Sequence, residues 1–207
     1  MKNRLFERLL LQEGLAYPVL KVFDRLSFYL FYKFYYKKTF ASYGDNIRWG
    51  KNFWRLTIPK SIRLSCPEKI SIASNCQIDE GVFLQCHESG QGIILHEGVR
   101  INCHSHILSY DKIELHKKVL IAPFVLLASG NHGIKNSHEA IMDQTHQGAG
   151  PISIGEGCWL GQNAKVMGGV ELGKYSLVAA GTVVTKSYPE LSKLAGVPAK
   201  NIGQVGT

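Results

Sequence analysis

A long apolar run is the first thing that this sequence of 207 residues lacks. No segment reaches the roughly 18 uninterrupted apolar residues of a membrane-spanning helix. The apolar stretches near the start are broken by Glu7, Glu13, Lys21 and Asp24, so we expect no secretory signal peptide. The composition predicts a cytoplasmic globular protein with one good-sized core and an appendage.

A CxxC pair is also absent, although there are five cysteines: Cys66, Cys76, Cys86, Cys103 and Cys158. Their spacing matches no compact zinc site and no dithiol redox motif. We expect them to be buried free thiols in a reducing compartment.

Acidic residues are fewer than basic ones, and much of the imbalance lies at one end. The net charge is +8, and the first forty residues, with eight basic and three acidic side chains, contribute +5 of it. Helical spacing predicts two helices there, at 2–13 and about 19–38, parted near Pro18. They would either cap an open end of the core or rest on anionic lipid. We expect no nucleic-acid partner, because no recognition motif accompanies the charge.

The sequence does contain a regular repeat of aliphatic residues. One falls at every sixth position: Ile154, Leu160, Val166, Leu172, Val178 and Val184. A period of six fits neither an amphipathic helix nor long alternating strands. It predicts one short strand and one corner per repeat, stacked into parallel β-coils around an aliphatic axis.

A second set of small residues follows the first by four positions: Cys158, Ala164, Val170, Ser176 and Thr182. We expect these side chains to fill the corners. The same lattice continues upstream through Ile72, Ile78 and Leu84, through Leu95, Ile101, Ile107 and Ile113, and through Leu115, Ile121 and Leu127.

The lattice is interrupted at three places. A polar insert around HESGQG separates Leu84 from Leu95, the phase slips near Ser109 to Lys112, and a long insertion separates Leu127 from Ile154. Insertions in solenoids collect on one face, often the binding face. The predicted organisation is a helical, aromatic and basic segment at 1–45, a β-helix at 46–200 with an insertion at 128–150, and a tail at 201–207.

Three stretches carry a resemblance to a known family: ELHKKVLIAPFVLLASGNHG, PISIGEGCWLGQNAKVMGGVELGKYSLVAAGTVVTK and LAGVPAKNIG. The chain resembles the hexapeptide-repeat acyltransferases, and within them the sugar O-acetyltransferases of surface-polysaccharide pathways and the maltose and galactoside branch. The resemblance implies a mainly β fold, a left-handed parallel β-helix with an N-terminal helical segment and a protruding loop. It also implies acetyl-CoA as the acetyl donor.

Two catalytic residues follow from the resemblance. The family's catalytic histidine lies eleven residues after the Ile of an IAP segment, and Ile121 to His132 has that spacing. An imidazole suits general-base work because its ordinary pKa is about 6.5. Asn102 matches an asparagine near the catalytic histidine and the coenzyme thiol. The other histidines, among them His104 and His106, match no zinc pattern, and no catalytic metal is expected.

The resemblance also implies a seat for the coenzyme. Backbone amides at Gly161, Gln162, Ala179 and Ala180 would line it, near the acetyl group and the pantetheine arm. Thr185, Lys186 and Lys200, together with Asn102, complete the implied set, the lysines meeting phosphates. Some relatives carry a second C-terminal arginine where this chain has Gly203, so the phosphate contacts differ.

The acceptor site is the least defined. Tyr110 falls where the maltose and galactoside branch carries an acceptor-binding aspartate, with Asp111 next to it. Trp159 would either wall the thioester end or pack outward. These three residues are our candidate acceptor contacts.

The reaction implied is direct acetyl transfer to a sugar hydroxyl, with His132 as base, in a homotrimer with sites between neighbouring coils. Alternatives sharing the fold are an amino-sugar N-acetyltransferase, a serine acetyltransferase-like enzyme and a non-enzymatic binding scaffold. Neither the sugar nor its carrier follows from the sequence. A lipid-linked acceptor would fit a peripheral contact of residues 1–40 with the inner face of the membrane.

Overall fold

The computed structural model describes residue 30 and residues 34–50 and 61–206. Residue 30 and residues 34–39 are helical, within the second predicted helix; the first predicted helix, at 2–13, lies outside the described residues. Among these ranges the remaining regular structure is short strands and two single-turn 3-10 helices, at Pro67–Lys69 and Ile141–Asp143. The strands, in chain order, are β1 (Ser42–Tyr43), β2 (Arg48–Trp49), β3 (Arg63–Ser65), β4 (Ile70–Ile72), β5 (Gln77–Ile78), β6 (Phe83–Cys86), β7 (Ile93–Leu95), β8 (Arg100–Ile101), β9 (His106–Ser109), β10 (Ile113–Leu115), β11 (Leu120–Ile121), β12 (Leu126–Ala128), β13 (Gly130–Asn131), β14 (Gln147–Gly148), β15 (Ile152–Ile154), β16 (Trp159–Leu160), β17 (Lys165–Met167), β18 (Glu171–Leu172), β19 (Leu177–Val178), β20 (Val183–Val184), β21 (Ser192–Ala195) and β22 (Lys200–Gln204).

Three sheets form the sides of a prism. Sheet A has the order β1-β4-β7-β10-β15-β18, sheet B the order β2-β5-β8-β11-β16-β19-β21-β22, and sheet C the order β20-β17-β12-β9-β6-β3. Pairing within them is parallel except for β21 with β22. The chain passes from A to B to C and back, so we name the three edges corner A/B, corner B/C and corner C/A.

The six-residue lattice becomes three columns of aliphatic side chains inside the prism. Parallel pairing aligns the repeat positions of successive coils, as in Ile121 with Leu160 and Leu160 with Val178. These side chains are at most 1% exposed, and each contributes about 1.5–3 kcal/mol by leaving water. The predicted aliphatic axis is confirmed. The small second set, including Cys158, Ala164 and Thr182, is buried as well.

Residues with left-handed backbone turn the corners. Asn75, Lys118 and Tyr175 have φ near +60° at corner A/B, and His104 and Asn163 have it at corner B/C. Asparagine tolerates this conformation better than most residues. A single left-handed residue in a short turn lets each strand continue onto the next side of the prism.

Aromatic side chains close the first coil. Tyr36 and Phe40 are buried at the end of the helical segment. Phe40 packs 6.0 Å from the Trp49 ring, and Tyr36 packs 5.2 Å from Tyr43, measured between ring centroids. For these residues the structure favours the cap over the lipid contact, because the rings cover the apolar end of the coil.

The strands begin at Ser42 and end at Gln204, whereas the sequence predicted a β-helix at 46–200. β1 begins at Ser42 and already pairs with β4, and β22 extends to Gln204 alongside β21. Of the helices in the described ranges, none has the length and apolar character needed to cross a membrane.

Burial sets the chemistry of three cysteines. It raises the pKa of the Cys76, Cys86 and Cys158 thiols to about 11, whereas Cys66 and Cys103 are half-buried. At pH 8 only about one buried thiol in a thousand is then ionised. In the folded protein we therefore expect a thiol reagent to modify Cys66 and Cys103 first, and all five only after denaturation. Peptide mass spectrometry after brief labelling measures this, and rapid labelling of Cys158 would contradict it.

Candidate functional site

The three interruptions of the repeat meet at one edge of the prism, corner C/A. Each leaves a strand of sheet C and enters sheet A: β6 to β7, β9 to β10, and β12 to β15. Because successive coils stack in register, the inserted segments lie next to one another. The sequence shows their positions along the chain, and the sheet order shows that they share a corner.

Three aromatic rings from these segments, those of His87, Tyr110 and His146, lie against one another. The rings of His87 and Tyr110 are 4.7 Å apart and those of Tyr110 and His146 are 5.5 Å apart, both pairs stacked. Burial raises the pKa of Tyr110, so its phenol stays protonated at neutral pH. The His87 and His146 rings are 5.7 Å apart and tilted by 36°, so the three rings together form one compact cluster, the aromatic wall, at corner C/A.

His132 lies at the end of this wall. β13 and β14 pair antiparallel at the base of the 128–150 insertion, with Gly130 opposite Gly148 and Asn131 opposite Gln147. The next pair in that register is His132 and His146, whose ring centroids are 4.1 Å apart. The His132 side chain is exposed and makes no hydrogen bond to the described part of the chain. It is therefore free to meet a substrate.

Two glycines allow the close approach. A Cβ on Gly130 would lie 2.3 Å from the Tyr110 ring, and one on Gly148 would lie 2.2 Å from an oxygen of Asp111. Any side chain at either position would push the insertion away from corner C/A.

Asp111 and Ser129 anchor the insertion to the coil. The Asp111 carboxylate accepts hydrogen bonds from the backbone N–H of Gly150 at 2.8 Å and from Gln91 at 3.3 Å. The buried Ser129 hydroxyl accepts from the N–H groups of Tyr110 and Asp111 and donates to the Asp111 carbonyl. Asp111 thus has structural partners in addition to its predicted contact with an acceptor. Ser129 could not be identified from the sequence, because its role depends on contacts with residues 18–19 positions away.

Several of the other predicted residues lie along corner B/C. Asn102, Gly161 and Ala179 each follow a sheet B strand and lie in one column, in which Ala122 separates Asn102 from Gly161. The half-buried Asn102 side chain makes no hydrogen bond within the described ranges, so it is not part of an asparagine ladder. Its amide remains available to a ligand.

The amides at this corner divide into two groups. Gly161 and Ala179 donate their N–H groups to the carbonyls of Val178 and Leu194, both at 2.8 Å, and so hold neighbouring coils together. In the part of the chain that the structure describes, the N–H groups of Gln162 and Ala180 make no such bond. The free donors are therefore the N–H groups of Gln162 and Ala180, each one residue beyond the glycine or alanine that follows a sheet B strand.

The predicted phosphate contacts are exposed and lie at two places. Lys200 begins β22 opposite Ala195, close to the end of the corner B/C column. Thr185 and Lys186 follow β20 at corner C/A, with the Lys186 ammonium 5.6 Å from the centre of the Tyr188 ring. Trp159 projects from sheet B and is 48% exposed.

Asn102 and His132 are not brought together in one chain. Asn102 lies at corner B/C and His132 at corner C/A, so sheet C separates them. A site that uses both residues requires two chains.

Known proteins resemble this chain in sequence and in fold. Residues 151–186 match the family model described as "Bacterial transferase hexapeptide (six repeats)". The chain is 33% identical over 129 residues to "Putative lipopolysaccharide biosynthesis O-acetyl transferase WbbJ" of Escherichia coli K12, covering 59% of this chain and 66% of that one. It is 27% identical over 135 residues to the galactoside O-acetyltransferase of the same organism, covering 65% and 64%. The chain thus spans just under two thirds of either relative's length.

Among solved structures, a variant of AntD, an N-acyltransferase from Bacillus cereus in complex with dTDP and coenzyme A, has a TM-score of 0.66 at 17% identity. The superposition covers 82% of this chain and 86% of that one. This similarity supports the expected fold, the left-handed parallel β-helix.

Proposed function

The chain belongs to the bacterial hexapeptide-repeat transferases, and from this membership we propose that it is an acetyl-CoA-dependent O-acetyltransferase acting on a sugar hydroxyl. The single observation that carries the proposal is the placement of His132. Its imidazole is exposed, lacks a hydrogen-bond partner among the described residues, and stands beside the aromatic wall at the interrupted corner. A general base needs this access to a hydroxyl proton.

The chemistry is a direct transfer. His132 accepts the proton of the sugar hydroxyl as its oxygen attacks the acetyl carbonyl carbon. The N–H of Gln162 donates to the oxyanion that develops on the carbonyl oxygen. The carbon–sulfur bond then breaks, and His132 returns the proton to the departing thiolate. The products are the acetylated sugar and free coenzyme A.

The coenzyme would lie along corner B/C. Gly161, Ala179 and Ala180 are small, and the coil-to-coil hydrogen bonds of Gly161 and Ala179 keep this edge rigid. Ala180 supplies a second free N–H for the pantetheine arm, and Lys200 would meet the phosphates, while Thr185 and Lys186, at corner C/A, would reach them from the neighbouring chain. Asn102 would hold the thioester or the acceptor hydroxyl through its side-chain amide.

We further propose a homotrimer with its sites between chains. Because His132 and Asn102 lie at different corners, His132 of one chain would meet the corner B/C column of the next. Tyr110, Asp111 and Trp159 remain the proposed acceptor contacts, Tyr110 as part of the aromatic wall.

The proposed acceptor is a polysaccharide or its precursor. The helical segment leaves Leu30, Phe34 and Tyr35 more than half exposed, with Lys37 and Lys38 beside them. Apolar rings next to ammonium groups favour an anionic membrane surface, where a lipid-linked acceptor would be found. The inner face of the membrane is thus the proposed working location of a protein that is otherwise cytoplasmic.

A second function, acetyl transfer to an amino sugar, is favoured by the similarity to the fold of the N-acyltransferase AntD. Release of free thiol from acetyl-CoA, measured against sugars with hydroxyls only and against amino sugars, separates the two. We expect release with at least one sugar that lacks an amine. Release with amino sugars alone would overturn O-transfer, and failure to bind acetyl-CoA in calorimetry would favour a binding scaffold.

A further inference from the structure

A cluster of two histidines and a carboxylate lies at corner A/B and has no part in the proposed transfer. Suitable ligand atoms of His96, Glu114 and His116 all lie within 4.8 Å of one another. The His96 Nε2 atom is 2.7 Å from the Glu114 Oε1 atom. The two imidazole rings stack in parallel, with centroids 5.0 Å apart and an angle of 6° between their planes.

The fold holds these three residues rigidly. Leu95 and Leu115 are paired between β7 and β10, so His96 and His116, each one residue further, stand one above the other. Their backbone N–H groups donate to the carbonyls of Leu115 and Ile154, both at 2.9 Å. The ligand atoms are therefore positioned by coil stacking, with little ordering left for a ligand to induce.

We propose that His96, Glu114 and His116 bind a divalent transition-metal ion of the zinc, cobalt and nickel class. Such ions bind well to imidazole nitrogens combined with one carboxylate oxygen, whereas magnesium and calcium prefer oxygen ligands. The partial exposure of His96 leaves room for water to complete the coordination. The Ser153 hydroxyl lies 3.3 Å from the His116 Nε2 atom and adds an oxygen beside the cluster.

The charges around the cluster set how tightly it binds. The Lys112 ammonium is 2.9 Å from the other carboxylate oxygen, Oε2, so Oε1 remains the oxygen directed to the histidines. Lys112 also opposes a second positive charge nearby. The pair of Lys117 and Glu97, 4.0 Å apart, brings both signs of charge and changes the balance little.

The role of such an ion would be structural. It would link the coil of β7 to the coil of β10 on the edge opposite sheet C. Binding to the folded state alone would raise the unfolding temperature with the logarithm of the free metal concentration, once that concentration exceeds the dissociation constant.

The test uses the full chain without a histidine tag, titrated with Co²⁺ and followed by visible absorption and calorimetry. We expect one saturable site per chain, and at least a tenfold weaker affinity in His96→Ala and in His116→Ala. His104 is an exposed histidine at corner B/C and provides the matched control. His104→Ala should bind Co²⁺ as tightly as the unsubstituted protein does. Lys112→Met should bind severalfold more tightly, because it removes the opposing charge.

X-ray absorption of the Zn²⁺-loaded, unsubstituted protein tests the ligand set without relying on folded variants. Two imidazole nitrogens together with oxygen ligands are expected. Sulfur ligands, or no saturable binding up to about millimolar metal, would overturn the proposal. So would His96→Ala and His116→Ala variants that bind the metal as tightly as the unsubstituted protein.

Discussion

Replacement of His132 by alanine should lower the turnover number by about 10²- to 10⁴-fold, the usual contribution of a positioned general base. Coenzyme A affinity should change by no more than about twofold, because the amides and the lysine at corner B/C, and not His132, hold the coenzyme. Thiol release measures the turnover number and calorimetry measures the affinity.

His138→Ala is the matched control for this substitution. His138 is an exposed histidine of the same 128–150 insertion, but it belongs to a local turn in which its N–H donates to Asn136. It should retain nearly full activity. Full activity in His132→Ala would remove His132 as the base, and loss of coenzyme binding there would assign it a structural role instead.

Mixing two inactive variants should restore activity if the site is shared between chains. Asn102→Ala and His132→Ala homo-oligomers should each be nearly inactive. In a mixed trimer, one of the three interfaces combines an intact His132 with an intact Asn102, so roughly a third of the original activity should return.

Co-expression with two different affinity tags, followed by tandem purification, isolates the mixed oligomers for this measurement. Oligomers of the same variant carrying both tags serve as the blank. Mixed oligomers as inactive as the blank would mean that both residues must act from one chain, contrary to the separation of corners B/C and C/A.

The repetitive part of the fold was predictable from the sequence because the repeat is local. Six residues are enough for one strand and one corner, so Leu160 and Val178 could be assigned to the core without knowing their neighbours. The structure confirms that assignment at 0% and 1% exposure. The handedness of the coil does not follow from the period and came from the resemblance alone.

The site was less predictable because it depends on register across insertions of unequal length. His87, Tyr110 and His146 are separated by 23 and 36 residues, yet their rings form one cluster. The cluster of His96, Glu114 and His116 was missed for the same reason. Its members match no sequence motif and meet only when two coils are aligned.

The N–H group that donates to the oxyanion could not be identified from the sequence alone. Small residues at Gly161 and Ala179 indicated where a coenzyme could approach. Only the hydrogen bonds show that both N–H groups are already donated to the next coil. That is why the proposed donors are the amides of Gln162 and Ala180.

The bond that carries the acetyl group in the product tests the proposed O-transfer most directly. An acceptor that offers both hydroxyls and an amine, such as a glucosamine-containing sugar, lets the two reactions compete in one molecule. Proton–carbon NMR of the product, before and after mild alkali, identifies the bond. We predict an ester, with the proton on the acylated carbon shifted downfield and the acetyl group removed by alkali. An amide that survives alkali would contradict the proposed transfer to a hydroxyl.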